Sequence, residues 1–381
     1  MKTVILTLLG LGLAQPMGAE TATPYDTLEA WGEALFFDTN LSANRTQACA
    51  TCHSPDFAFT DPRETAAGRA VSLGDDGVSL GDRNAPTAAY ARFSPPFQQG
   101  ENSQWKGGQF HDGRAGGLAD QAKGPPLNPI EMGMATAADV AARLAENPRY
   151  AATLTALTGA DAVADPEEMF NVAADAIAAF EATPEFAPFS SKYDRFLRGE
   201  IKLSDQEELG RVLFFSQQFT NCNICHQLNA APLALEETFS NYEYHNIGTP
   251  PNLAARALNG VAPGHIDHGL LDNPAITDPA QDGKFKVPTL RNVAVTGPYM
   301  HNGVFADLRT VVLFYNKYNS RRPARQINPE TGSTWAAPEV PGTLSLTELE
   351  HGPPLDDARI DALVAFLETL TDARYEPLLT D

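Results

Sequence analysis

The chain has 381 residues, 43% of them hydrophobic, and a formal net charge of −21. At roughly 150 residues per domain that length predicts two or three domains with ample chain for a core, and no polar tract suggests disorder. So acidic a surface repels nucleic acid and anionic lipid, which excludes both as partners, and suits either a basic or dipolar partner or plain solubility.

The first residues read as a secretory signal peptide, 1–19. Lys2 supplies the charged start, and Val4 to Ala14 form an apolar stretch too short to span a bilayer. Met17-Gly18-Ala19 gives a small-residue exit, so cleavage is expected after Ala19 and the mature protein in the periplasm. No later segment is apolar enough for a membrane span. Export would ordinarily make four cysteines two disulfides. Their spacing argues otherwise: they form Cys49-Ala50-Thr51-Cys52-His53 and Cys222-Asn223-Ile224-Cys225-His226. C-x-x-C-H is the attachment sequence of haem c, in which both thiols bond the haem and the adjacent histidine becomes an axial iron ligand. One match could be a redox pair or half a zinc site. Two matches that use every cysteine point to two covalently bound haem c groups, with His53 and His226 on the irons.

The similarity between the halves extends beyond the cysteines. Gly32-Glu-Ala-Leu35-Phe36-Phe37 precedes the first pair and Gly210-Arg-Val-Leu213-Phe214-Phe215 the second. Ala85-Pro86-Thr87 matches Val287-Pro288-Thr289, and Phe110-His111-Asp112-Gly113 matches Met300-His301-Asn302-Gly303. Four motifs in one order indicate a duplicated unit. Apolar spacing of three and four predicts helices over Ala137–Glu146, Pro166–Ala182, Ser204–Phe214 and Asp356–Leu370, with helix starts at Asp165-Pro166 and Leu203-Ser204-Asp205. Long Gly- and Pro-rich loops fill 61–109 and 227–286. The expected fold is mainly α: two cytochrome c-like domains, 20–190 and 191–381, related by duplication and meeting around 186–203.

The duplication also predicts that the two haem pockets differ. A leucine follows five residues after each repeat glycine, at Leu118 and Leu308, and seven residues further stand Pro125 and Tyr315. A tyrosine over the second iron can be its sixth ligand, whereas Pro125 has no donor atom, which leaves the first haem open. Met300 is the rival to Tyr315, since thioethers also ligate cytochrome iron. Glu131 and Gln121 fall near the open side, and a carboxylate there can move the proton that peroxide cleavage requires.

With these residues located, the chain resembles the di-haem cytochrome c peroxidase/MauG superfamily over nearly its whole mature length. The motifs are Leu35-Phe-Phe-Asp…Leu41-Ser, Phe57-Ala-Phe-Thr-Asp61, Arg83-Asn-Ala-Pro-Thr87, Gln121-Ala-Lys-Gly-Pro125…Asn128-Pro-Ile-Glu131-Met132, Pro288-Thr-Leu-Arg-Asn292 and Gly297-Pro-Tyr-Met-His-Asn-Gly303. The resemblance implies a calcium ion between the lobes, with Asn84 giving a side-chain oxygen and Thr296 and Pro298 backbone carbonyls. Tyr315, together with a loop Ala70–Asn84 that lacks histidine, leans towards the MauG branch, whose resting first haem needs no reductive activation. Two departures stand out. His111 occupies the position of the usual inter-haem tryptophan, and Thr220 that of a tryptophan two residues before the second motif. Trp105 is a candidate substitute for either. His111 reads as an inter-haem packing residue bonded to a propionate, with His301 in a similar part. The implied activity is oxidation of a partner protein by hydrogen peroxide, the maturation of a tryptophan-derived quinone on a dehydrogenase precursor. The alternatives are a cytochrome c peroxidase fed by a small cytochrome c or cupredoxin, and a non-catalytic di-haem electron carrier.

Overall fold

A computed structural model describes residues 22–100, 103–159, 164–229, 231 and 233–379; the expected signal peptide and its cleavage site lie outside them. The described chain is mainly helical. The first half contains α1 (Leu28–Phe36), α2 (Cys49–Cys52), α3 (Leu118–Ala122), α4 (Gly124–Leu127), α5 (Ala137–Ala145), α6 (Pro148–Thr158) and α7 (Pro166–Glu181). The second contains α8 (Lys192–Leu197), α9 (Asp205–Phe214), α10 (Cys222–Cys225), α11 (Leu253–Arg256), α12 (Leu308–Asn319), α13 (Leu346–Leu349) and α14 (Asp357–Glu368). Two antiparallel strand pairs complete it: β1 (Gln98–Gln99) with β2 (Trp105–Lys106), and β3 (Tyr244–His245) with β4 (Phe285–Lys286).

The helices start where their capping residues dictate. Asp165 accepts from the Glu167 amide at 3.0 Å ahead of Pro166, and Ser204 with Glu207 forms a reciprocal capping box on α9. The four helices expected from apolar periodicity all form, within a residue or two of the expected ends.

Packing repeats as the sequence does. α1 crosses α7, and α9 crosses α14. Each crossing is close because a glycine sits in it: a Cβ on Gly32 would lie 1.8 Å from the Ala176 carbonyl oxygen, and one on Gly210 would lie 1.9 Å from that of Ala362. Beside each glycine the same aromatic pair interlocks, Phe36 with Phe180 at 5.4 Å and Phe214 with Phe366 at 5.2 Å. One buried cluster draws on residues from Trp31 to Ala187, a second on residues from Tyr193 to Leu370. Between them Arg291, fully buried, binds Asp194 through two hydrogen bonds of 2.6 and 3.0 Å. Its guanidinium lies near the rings of Tyr90 and Phe189 from the first half and Phe239 from the second. Neutralising a buried charge in this way is what makes the seam tolerable.

Candidate active site

Both C-x-x-C-H segments fold alike. Each forms one short helical turn closed by its histidine, whose amide donates to the first cysteine's carbonyl at 2.9 Å, His53 to Cys49 and His226 to Cys222. The imidazoles are then oriented by one device used twice. His53 Nδ1 lies 3.1 Å from the Phe59 carbonyl, and His226 Nδ1 lies 3.1 Å from that of Phe239. Donation from Nδ1 leaves Nε2 as the free lone pair, the tautomer that ligates metal. Both phenylalanines adopt left-handed backbone, φ 55° and 57°, a conformation that costs on the order of 1 kcal/mol for a non-glycine residue. The repeated Pro-Thr motif holds these turns, since Thr87 donates to the Ala58 carbonyl at 2.6 Å and Thr289 to that of Thr238 at 2.7 Å. Burial lowers the pKa of both histidines, to about 4 for His226, so both are neutral at physiological pH. No disulfide joins any of the four cysteines.

A cavity opens over the first motif, and Cys49, Cys52 and His53 line it. Gln121, Pro125 and Glu131 line the same cavity, so the structure brings them together. The sequence explains how. Gly124-Pro125-Pro126 breaks the helix that would continue α3, because proline lacks the amide and clashes with the preceding turn. The chain then winds back, the Pro125 carbonyl accepting from the amides of Asn128 and Met132 at 3.2 Å. That winding swings Glu131 to the cavity wall. The corresponding stretch in the second half, α12, runs unbroken for 12 residues and carries Tyr315.

Glu131 is half-buried, and desolvation raises its pKa above the usual carboxylate value, with Arg114 and Asn128 acting in the opposite sense. Arg114 reaches the same cavity, its guanidinium 3.7 Å from the Phe110 ring and bonded to Asp112 at 2.8 Å. The Glu131 carbonyl accepts from the Asp75 amide at 2.7 Å. The Asp75 carboxylate in turn accepts from the Asn44 amide at 2.6 Å and the Thr46 hydroxyl at 2.6 Å, ahead of Cys49. Neither Arg114 nor Asp75 carries a local sequence signal of these roles.

In the second half Tyr315 lies beside both thiols of the motif: Cys225 and Cys222 raise its pKa after burial, which contributes most. Met300 sits at φ 72° in the turn that the Tyr299 amide closes onto the Phe305 carbonyl at 2.7 Å. His245 is nearly buried against Cys225, because the β3–β4 pairing draws it inward.

His111 and His301 stand between the two halves, their rings 6.4 Å apart. His111 Nε2 lies 2.9 Å from the Asn84 carbonyl, and His301 stacks on Phe285 at 3.6 Å. Burial lowers both, to about 4 and about 3. Asn84 donates its amide to the His301 carbonyl at 2.7 Å and its Nδ2 to that of Ala70 at 3.0 Å. Pro298 follows a cis bond after Gly297, and the Thr296 hydroxyl donates to Val293 at 3.3 Å. No group of three or more His, Cys, Asp or Glu side chains that could hold a metal occurs among the described residues. Trp105 stacks on Phe97 at 5.0 Å, in a separate small cluster with Tyr244. Thr220 is buried, its hydroxyl donating to the Leu213 carbonyl at 2.6 Å.

Known proteins share this architecture. The family described as di-haem cytochrome c peroxidase matches residues 26–202. The methylamine utilization protein MauG of Paracoccus denitrificans is 58% identical over 364 residues, covering 95% of this chain and 93% of its own. The cytochrome c551 peroxidase of Pseudomonas aeruginosa is 32% identical, covering 74% and 69%. The crystal structure of the diheme peroxidase BthA of Burkholderia thailandensis superposes with a TM-score of 0.80 at 36% identity, covering 96% of this chain and 90% of that one. Two attachment motifs, a cavity at the first and a tyrosine near the cysteines of the second thus occur in a chain that belongs to the di-haem cytochrome c peroxidase/MauG family: it is a MauG-like di-haem oxidoreductase of the peroxidase type.

Proposed function

We propose that the protein uses hydrogen peroxide to oxidise a partner protein, in the manner implied by the likeness to methylamine utilization proteins, with a quinone-dehydrogenase precursor as that partner. The observation that carries this reading is the asymmetry of the two sites: Gln121, Pro125 and Glu131 share a cavity with His53, while Tyr315 lies near the cysteines that precede His226. Cys49 and Cys52 hold the first haem and Cys222 and Cys225 the second, with His53, His226 and Tyr315 as iron ligands. Four cysteines not joined in disulfides, two neutral imidazoles and a cavity lined by Cys49, Cys52 and His53 suit these groups. Haem c supplies the electrons that cleave peroxide when it is bound. The chain's own residues do the rest. Pro125 presents no donor atom and leaves room for a small ligand. Glu131 takes a proton from one peroxide oxygen and returns it to the other, Arg114 balances its charge, and Gln121 orients the ligand. His111, its Nε2 committed to Asn84, packs between the sites as a neutral bridge rather than a ligand.

The domain division 20–190 and 191–381, export to the periplasm after cleavage at Ala19, and a calcium ion on Asn84, Thr296 and Pro298 belong to the same proposal. No helix among the described residues is long and apolar enough to cross a membrane.

A second reading is a cytochrome c peroxidase that takes electrons from a small cytochrome or cupredoxin. Thr220 favours it, because it is buried where the MauG branch carries a tryptophan implicated in oxidising the partner. Mixing diferric holoprotein with peroxide and a reduced small cytochrome c separates the two. A long-lived oxidised species with little cytochrome turnover supports the oxidase; rapid catalytic oxidation of the cytochrome replaces it with the peroxidase.

A further inference from the structure

One buried carboxyl has no part in this scheme. Glu181 is the last residue of α7 and lines the same cavity as Cys49 and His53. It is 6% exposed, and its Oε2 has no hydrogen-bond partner. Three effects oppose a negative charge there. Water is excluded, no donor compensates for it, and the C-terminal end of a 16-residue helix carries partial negative charge with no basic residue in its last turn. Burial pushes its pKa up to about 8.

Nothing nearby offsets this. Helices α1, α3 and α5, packed on α7, turn Glu29, Glu33, Asp120 and Asp139 to solvent. Arg143 is bonded to the Ala43 carbonyl, and Arg92 to that of Ala182 rather than to the carboxyl. Of the charged cavity residues, Arg83 is held by Asp267 and Asp112, and Arg114 by Asp112. Glu131 and His111 stand on the walls with Arg83 and Arg114, and none of the four shifts Glu181. Cys49 is the ionisable group that feels Glu181, and it ceases to be one as a thioether.

We propose that Glu181 holds the proton that compensates the charge of the first haem. At a pH where Glu181 is ionised in the diferric protein, one electron delivered to that iron from a reductant is accompanied by one solvent proton bound to the Glu181 carboxylate, and oxidation of the iron returns the proton to solvent. This rests on haem occupying the cavity, as proposed above.

Infrared difference spectra of the holoprotein, diferrous minus diferric, in H2O and D2O at a pH above about 8, where the carboxyl starts ionised, read it directly. Reduction is expected to add a protonated-carboxyl carbonyl band that shifts in D2O and is missing in Glu181→Gln, while propionate signals persist in both. The first haem's midpoint potential should fall with pH in the wild type by up to about 59 mV per tenfold drop in proton activity, the one-electron limit, and less steeply in Glu181→Gln. A band retained in the variant, or equal slopes, overturns the proposal. If Glu181→Gln does not load haem, the wild-type spectra still decide, since absence of a D2O-sensitive carbonyl band sinks it. Neither readout involves peroxide. Failure here therefore leaves the oxidase reading standing, whereas a negative pyridine haemochrome test of the wild type strikes that reading instead.

Discussion

Gly210→Ala tests whether the duplicated helix crossing governs stability. At an ordinary exposed helix position this change stabilises by about 1 kcal/mol, because alanine is the better helix former. Here the new methyl would lie 1.9 Å from the Ala362 carbonyl oxygen and 2.8 Å from the Phe366 Cβ. Ordinary contact begins at 3.4 Å, so α9 and α14 must part by more than an ångström. A gap of about 1 Å already forfeits up to half of each dispersion contact along the interface. Overpacking of this kind costs about 1–3 kcal/mol, occasionally more, which outweighs the propensity gain. The expected net effect is a loss of about 1–2 kcal/mol, with Gly32→Ala behaving alike in the first half. Guanidinium unfolding followed by helical circular dichroism measures it. Gly342→Ala, whose Cβ would meet nothing within 4 Å, serves as the control. A Gly210→Ala protein as stable as the wild type, or more so, would refute the reasoning.

The remaining predictions concern the sites. Because burial holds the Glu131 pKa above the usual carboxylate range, its base form is lost as pH falls through that value. Peroxide consumption should drop on the acid side, and Glu131→Gln should remove that limb while slowing the reaction by about 10²–10⁴; stopped-flow absorbance checks both, and a wild-type rate removes Glu131 from the mechanism. Tyr315→Phe should convert the second haem from low-spin six-coordinate to a form open on that side, read by electron paramagnetic resonance, and an unchanged spectrum would transfer the role to Met300. Glu181 also links stability to pH. Its folded pKa of about 8 exceeds the ordinary glutamate value of 4.5, so between these values the unfolded chain binds fewer protons than the folded one. Stability therefore falls as pH rises through that window, and levels off above it. Glu181→Gln should flatten the fall, and parallel pH profiles for the two proteins would contradict it.

What could be read from the chain alone was whatever leaves a local or repeating mark. Cys49–His53 and Cys222–His226 declare themselves by spacing, and the duplication by four motifs in one order. Helices α5, α7, α9 and α14 show themselves by period, with Asp165 and Ser204 as caps. The contrast of Pro125 with Tyr315 also followed from register, since proline breaks the turn in which the second repeat continues as a helix. Tertiary structure decided the rest, because it depends on contacts remote in sequence. Glu181 ends an apolar helix, and only the packing of that helix on the first haem cavity makes it a buried acid without a partner. His245 looks like a loop residue until β3 pairs with β4 and carries it beside Cys225. The grip of Asp75 on Glu131, and that of Arg291 on Asp194, join segments 56 and 97 residues apart. Local propensity is blind to both, for their energy comes from desolvation and hydrogen bonding that exist only once the chain has closed.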